Sequence, residues 1–306
     1  MNLDSMVREL STRTKGELLL NEPMCRHTSF RIGGPADVFF TPADEYDLRT
    51  ALAVCRQHRV PVTVIGGGTN LLVSDSGVEG LVVCLAGRLN TVSVQGTSIT
   101  AGAGALLSQV SSIAAMHSLS GLEFAAGIPG TVAGAVAMNS AAFRRRMSDV
   151  VSSVRAVALD GRDVILRADG CRFEEKSSIF LDGEHVIVEV VFDLKIGDPC
   201  SIREARQQHV RERSAKQPLN LCSAGCVFRN PEGEGAGRYI DLAGCKGLRV
   251  GDAEVSRLHA NFIVNLGCAT AADVMQLIDQ VRELVALKVG VRLEPEIRFI
   301  GRQSAS

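Results

Sequence analysis

Residues 124–143, FAAGIPGTVAGAVAMNSAAF, run for twenty positions without a charged side chain. That length nominally suffices to cross a bilayer, for which a helix needs about 20 apolar residues. The stretch also holds Gly127, Pro129, Gly130 and Gly134, with Thr131, Asn139 and Ser140 among them. Pro129 between two glycines breaks a helix in its first third, because proline lacks the N–H and clashes with the preceding turn. The expected structure is a buried glycine-rich loop running into a short packed helix, with no membrane insertion. Such a loop is a place where bare backbone can meet a ligand.

Glycine is abundant throughout: 30 of 306 residues, with aromatics at 4% and no Trp. This suits a glycine-rich α/β or α+β chain better than a helical bundle, since glycine serves turns and close approaches. Apolar spacing predicts a helix over 43–59. A short strand at 61–65 then enters Gly66, Gly67 and Gly68. Strands are predicted at 80–85 and 90–101, the latter broken at Gly96, and a helix at 105–119. From 150 the pattern returns to strands, with a turn at Asp160-Gly161 and a long alternating strand over 185–196. The arginine-rich segment 201–216 is helix-compatible, either as a solvated surface or as a face turned to a phosphorylated ligand. Residues 271–288 place Val274, Leu277, Ile278, Val281, Leu284 and Val285 on one helical face. Thr270 and Asp273 form an approximate capping box before it, and Gly290 closes it. Residues 291–301 read as a terminal strand, and the final GRQSAS as frayed. The coarse division is 1–90, 91–197 and 198–306.

Charge and cysteine usage exclude several classes. With 33 basic and 34 acidic side chains, the net charge of -1 offers no bulk attraction to nucleic acid. The charged N-terminal segment has no apolar run or small-residue cleavage site, so no signal peptide is visible. The nine cysteines are irregularly spaced, and Cys222 with Cys226 has no histidine cluster or second pair to complete a metal tetrahedron. No metal and reduced thiols in a cytoplasmic protein are expected.

The glycine turns fit no standard nucleotide fingerprint. After the 61–65 strand the sequence GGGTNL lacks a third glycine at the dinucleotide offset, GAGALL at Gly102 fails likewise, and no GxxxxGK[ST] loop exists. GGGTN at Gly66 and GIPGTVAG at Gly127 are each, on spacing alone, either a tight turn or an anion-binding nest of N–H groups. RIGG at Arg31 would add a charge to a phosphate contact.

Seven segments in order carry a family resemblance: HTSFRIGGPADV, VIGGGTNLLV, GLEFAAGIPGTVAGAV followed by MN, QPL with CSAGCVFRNP, GRYIDLAGCKG, VSRLHANFIVN and GVRLEPEIRFIG. Together, over about residues 21–301, they resemble the UDP-N-acetylenolpyruvoylglucosamine reductases of peptidoglycan precursor synthesis, in their shorter, type II form. The resemblance implies an α+β flavoprotein of the vanillyl-alcohol-oxidase type. Two modules would hold noncovalent FAD, and a C-terminal α+β domain would bind UDP-N-acetylglucosamine enolpyruvate, with NADPH as reductant. It places flavin contacts on Arg31, Ile32, Gly33, Gly66, Gly67, Gly68, Thr69 and Asn70, and on Gly127, Ile128, Gly130, Thr131 and Gly134. Substrate contacts fall on Arg229, Asn230 and Lys246. A pyrophosphate needing N–H donors and a flavin ring needing close backbone suit these glycines.

The implied reaction reduces an enol ether: hydride reaches the terminal carbon, and a proton must reach the adjacent one. It requires a proton donor, a cation on the substrate carboxylate and an acid that polarises the intermediate. By the resemblance these are Cys226, where the family carries serine, Lys176, where it carries arginine, and Glu296. A thiol is the stronger acid of the two at the first position. At the second, lysine keeps the charge but loses the planar fork. Glu175 stands for a family tyrosine, adding negative charge, and Arg144, Arg145 and Arg146 either supply the missing guanidinium or form a solvated turn. These departures leave two alternatives: a flavin oxidoreductase for another substrate, and a catalytically impaired FAD or sugar-nucleotide binding homologue.

Overall fold

The computed structural model describes residues 2–302. The expected frayed end therefore lies, from Gln303 onward, outside the described residues. Two compact units are each assembled from separated segments. The first comprises the chain up to Leu20, Val38–Gly67 and Gly80–Glu212, and the second Asn21–Asp37, Gly68–Glu79 and the chain from Arg213. The chain passes from one to the other inside the glycine triplet, between Gly67 and Gly68.

In the first unit, helix α1 (Leu3–Arg13) begins where the Asn2 side chain accepts from Ser5 N at 3.1 Å, which satisfies an otherwise orphaned N–H. No helix is predicted there from the sequence, since its apolar stripe is reduced to the buried Met6 and Leu10. Helix α2 (Glu45–His58) is capped by Asp44 and ends on Arg59 in the left-handed region, one residue from the expected end. Its Leu48, Ala51, Leu52 and Cys55 share a core with Met6 and Leu10. Helices α3 (Leu107–Met116) and α4 (Val132–Ala137) follow, and α5 (Pro199–Lys216) runs through the boundary with the second unit. The uncharged 124–143 stretch is a 3-10 turn, a glycine loop and α4, with Phe124, Ile128, Val132 and Val136 buried. Among the described residues no helix is long and apolar enough to cross a membrane.

A five-stranded antiparallel sheet lies in order Asp163–Arg167, Val151–Ala158, His185–Asp193, Ser98–Gly102, Val92–Gln95. The expected single strand over 90–101 is a hairpin turning at Gly96, whose φ of 61° suits glycine. The long strand expected over 185–196 also divides. Leu194 N bonds Thr97 O, and Lys195–Ile196 pairs instead with Leu119–Ser120, so the chain changes sheets at that residue. A second sheet orders Glu17–Pro23, Pro35–Thr41, Val78–Cys84 and Val62–Ile65, the last two parallel.

The second unit contains helix α6 (Ala236–Leu242), helix α7 (Ala271–Val289) and a three-stranded meander of Arg249–Val250, Ala253–Val255 and Ile263–Asn265. The capping box expected at Thr270 and Asp273 forms, and Gly290 caps the far end at φ 76°. Val274, Leu277, Ile278, Val281 and Val285 are buried in this unit's core; Leu284 packs at its edge. The terminal strand expected over 291–301 is shorter, Arg298–Ile300, parallel to Leu71–Val73. Upstream, Pro295 bridges Phe228 while Arg229 N bonds Glu294 O and Glu296 N bonds Val227 O. Pro295 thus sits where the antiparallel pattern asks for no N–H, and the chain exchanges partners around Ile297 instead of forming one long strand. The fold class is α+β.

Candidate functional site

In the first unit, two glycine segments far apart in sequence lie against each other. A Cβ on Gly66 would fall 2.3 Å from Thr131 Oγ1, so any side chain there would have to displace the threonine hydroxyl. Thr131 is buried and caps α4, accepting from Gly134 N at 3.3 Å. Its backbone forms an antiparallel bridge with Leu106. The Gly66 carbonyl accepts from Cys84 Sγ, whereas the N–H groups of Gly66 and Gly67 find no acceptor among the described residues. Adjacent unclaimed N–H groups beside close-packed glycine are what a pyrophosphate requires, so these residues fit FAD.

The Lys176 segment is tied to the far end of α4. Glu174 and Ser177 bond each other across a turn, with Glu175 exposed and Lys176 half-buried at its tip. Lys176 has φ 56°, a left-handed conformation that a side chain disfavours. Ser178 Oγ donates to Ala137 O at 2.7 Å, and Asn139 Nδ2 donates to Glu174 O at 2.9 Å. Arg144 and Phe143 form the two-residue turn of a hairpin pairing Ala142 with Arg145, both at positive φ. The Phe143 ring stacks on His209 at 3.8 Å. Arg144, Arg145 and Arg146 are exposed, and Arg145 Nε is held by Asp149 at 2.9 Å.

In the second unit, the Arg31 and Gly68 segments pack together. A Cβ on Gly68 would lie 2.1 Å from His27 O, and Ser29 N donates to Gly68 O. Arg31 adopts φ 55° and is exposed, while Ile32 is buried and its carbonyl accepts from Thr28 Oγ1. Gly33 at φ 141° lies against Val73 and Met24, where any side chain would collide. The chain following Thr69 reaches the acid: Asn70 Nδ2 donates to Glu296 O and Arg298 N to Asn70 O.

Cys226 and Glu296, seventy positions apart in sequence, are brought onto neighbouring backbone. Cys226 bridges Phe262, and the next residue, Val227, accepts from Glu296 N at 2.7 Å. Asn261 fixes this register by accepting from Phe228 N at 2.9 Å and donating to Phe228 O at 2.8 Å. Cys226 and Glu296 are both half-buried, whereas Glu294 is exposed. Arg229 is exposed, Asn230 Oδ1 accepts from Ala236 N at 3.0 Å, and Lys246 Nζ is 2.8 Å from Asp241.

Helix α5 is more than a solvated surface. Arg206 donates to the hydroxyls of Ser111 and Ser112. His209 Nδ1, Arg213 Nε and Gln217 Oε1, spaced at one-turn intervals, are buried with no hydrogen-bond partner among the described residues. Burial pushes the Arg213 guanidinium below its usual range, and the nearby Cys226 sulfur opposes that shift. The roles of Arg213, Asn139 and Asn261 were not legible from the chain alone. The signals in the chain were the arginine content of α5 for Arg213 and the motif positions of Asn139, after Met138, and of Asn261, in VSRLHANFIVN.

Residues 36–167 match the FAD binding domain family, which defines the class as a flavin-binding α+β protein. Residues 217–300 match the C-terminal domain of UDP-N-acetylenolpyruvoylglucosamine reductase. Proteins of that name from Desulforamulus reducens and Moorella thermoacetica are 42% and 44% identical, covering 97% and 98% of this chain and 98% and 99% of theirs. A crystal structure of the Thermus caldophilus enzyme of that name is 36% identical at a TM-score of 0.80, over 94% of this chain and 99% of that one. The chain belongs to the UDP-N-acetylenolpyruvoylglucosamine reductase family.

Proposed function

We propose that the protein is an NADPH-dependent flavoprotein that reduces the enolpyruvyl ether of UDP-N-acetylglucosamine to UDP-N-acetylmuramate, a step of peptidoglycan precursor synthesis in the cytoplasm. The observation that carries the reading is the pairing of the Cys226 and Glu296 segments through the Glu296 N to Val227 O bond, inside motifs that match the family. The odd number and irregular spacing of the nine cysteines support a reducing compartment. Residues 1–90 and 91–197 are proposed as the flavin-holding modules, and 198–306 as the substrate-holding one.

Bound FAD would supply the redox chemistry that links NADPH to the terminal enolpyruvyl carbon. The N–H groups of Gly66 and Gly67 would hold its pyrophosphate. Cys226 Sγ delivers the proton to the carbon bearing the ether oxygen, and solvent later returns it to sulfur. Two hydrogens are thereby added across one double bond. Lys176 Nζ is assigned to balance the substrate carboxylate as negative charge accumulates, and Glu296 is assigned as the acid that polarises the intermediate. Arg229, Asn230 and Lys246 bind the sugar nucleotide, Lys246 by exchanging Asp241 for phosphate.

The test is NADPH oxidation by the flavin-loaded protein under anaerobic conditions, with and without the enolpyruvyl sugar nucleotide. Stoichiometric consumption that requires this substrate is expected. Flavin-loaded protein that NADPH reduces but this substrate never reoxidises would refute the reading.

A further inference from the structure

Asn139 occupies a position where glycine would satisfy the backbone. Helix α4 ends with Asn139 N donating to Val136 O at 3.0 Å and Ser140 N to Ala135 O at 2.8 Å, a Schellman motif. Its left-handed residue is Asn139, at φ 41°. Glycine adopts that conformation most freely; asparagine tolerates it and brings a side chain. The side chain is buried, 2% exposed, and both ends of its amide are used. Oδ1 accepts from Ser148 N at 3.0 Å, and Nδ2 donates to Glu174 O at 2.9 Å.

The second bond acts on the Lys176 turn. The Glu174 carbonyl also accepts from Ser177 N, but at 3.4 Å, so Asn139 supplies the shorter of its two bonds. With Ser178 Oγ on Ala137 O, it pins both sides of a turn whose tip, Lys176, is in a disfavoured conformation. Thr131, one residue before the first turn of α4, is the residue against which Gly66 packs. Six residues of helix, about 9 Å at 1.5 Å per residue, thus separate a flavin-side contact from the anchors of the lysine turn.

We propose that Asn139 is a positioning residue for Lys176: its amide fixes the 174–177 turn to the end of α4, and α4 sets that turn's distance from the Gly66 contact. The inference rests on the reading of Lys176 as the cation facing the substrate carboxylate. Asn139 touches no reacting group itself. Its effect is confined to the step in which that carboxylate is present.

The test uses the FAD-loaded protein and stopped-flow measurement of both half-reactions. Asn139→Gly keeps the Schellman backbone and removes both side-chain bonds; Asn139→Asp keeps the acceptor for Ser148 N and removes the donor to Glu174 O. Both are expected to bind FAD and be reduced by NADPH at the rate of the unaltered protein, while reoxidation by the enolpyruvyl sugar nucleotide slows about tenfold or more. Added to Lys176→Met, Asn139→Asp should cause no further slowing, since no ammonium remains to be placed. Normal reoxidation in both Asn139 variants, with Lys176→Met slow, would overturn the inference and leave the reading of Lys176 standing. Equal slowing of both half-reactions, or additive slowing in the double variant, would show a general structural role and overturn it too. Unchanged reoxidation in Lys176→Met would refute the reading of Lys176 and, with it, the inference.

Discussion

Replacing Gly66 with alanine tests the contact that joins the two glycine segments. The added Cβ would lie 2.3 Å from Thr131 Oγ1, 3.4 Å from its Cβ and 3.5 Å from its Cγ2. Neither the hydroxyl nor the methyl of Thr131 can stay toward residue 66 without overlap, so relief requires the rotamer that turns hydrogen to the new methyl. That rotation gives up the bond from Gly134 N and leaves the first turn of α4 uncapped. Loss of a threonine cap costs about 1 kcal/mol, and overpacking a buried site costs about 1–3 kcal/mol. Gly66→Ala should therefore destabilise by about 2–4 kcal/mol. It should also weaken FAD binding, because the neighbouring N–H groups move. Urea denaturation and flavin fluorescence titration measure the two effects. In a Thr131→Ala background the cap is already absent and the overlapping atoms are gone, so adding Gly66→Ala should cost less than about 1 kcal/mol. The same cost in both backgrounds would refute the argument, as the penalty would then not arise at Thr131.

Asp75 accepts from Ala271 N at 2.8 Å and Ala272 N at 3.0 Å, capping α7 from a distant loop, so Asp75→Ala should lower stability by about 1–2 kcal/mol and Asp75→Asn by less. An unchanged urea midpoint for the alanine variant would remove that role. The Arg155 guanidinium, followed by Arg49, holds the Glu45 carboxyl below its ordinary 4.5. A depressed carboxyl contributes stability above its unfolded value and loses it as pH falls through the folded one. Stability should thus decline below about pH 4.5, and Arg155→Met should flatten that decline; identical acid limbs would contradict the assignment. Cys226→Ser should preserve reoxidation of the reduced flavin by the enolpyruvyl substrate, whereas Cys226→Ala should slow it by about a hundredfold, within the range for general acid catalysis. Equal rates for the native and alanine proteins would assign the proton to another group.

Local chemistry alone located many of the elements. Apolar spacing placed α2, α3 and α7, because a helix repeats its buried face every three to four residues whatever its surroundings. The Thr270–Asp273 box and Gly290 marked the ends of α7 for the same reason: their partners lie within one turn. Proline and glycine turned the uncharged 124–143 stretch into a loop and short helix. Motif order pointed to the residues proposed to carry the chemistry, yet order says nothing about which of them touch. Only the tertiary structure set Gly66 against Thr131, closed the Glu296 segment onto Val227, and hung the Lys176 turn on Asn139. It also overruled the sequence where a strand changed partners, at Leu194 and around Ile297. Alternation specifies that a segment is extended, whereas the strand it pairs with depends on hydrogen-bond donors and acceptors tens or hundreds of residues away. That is why the candidate residue types were legible in the chain, while the asparagines that bond their segments, Asn139 and Asn261, emerged only once distant segments were packed together.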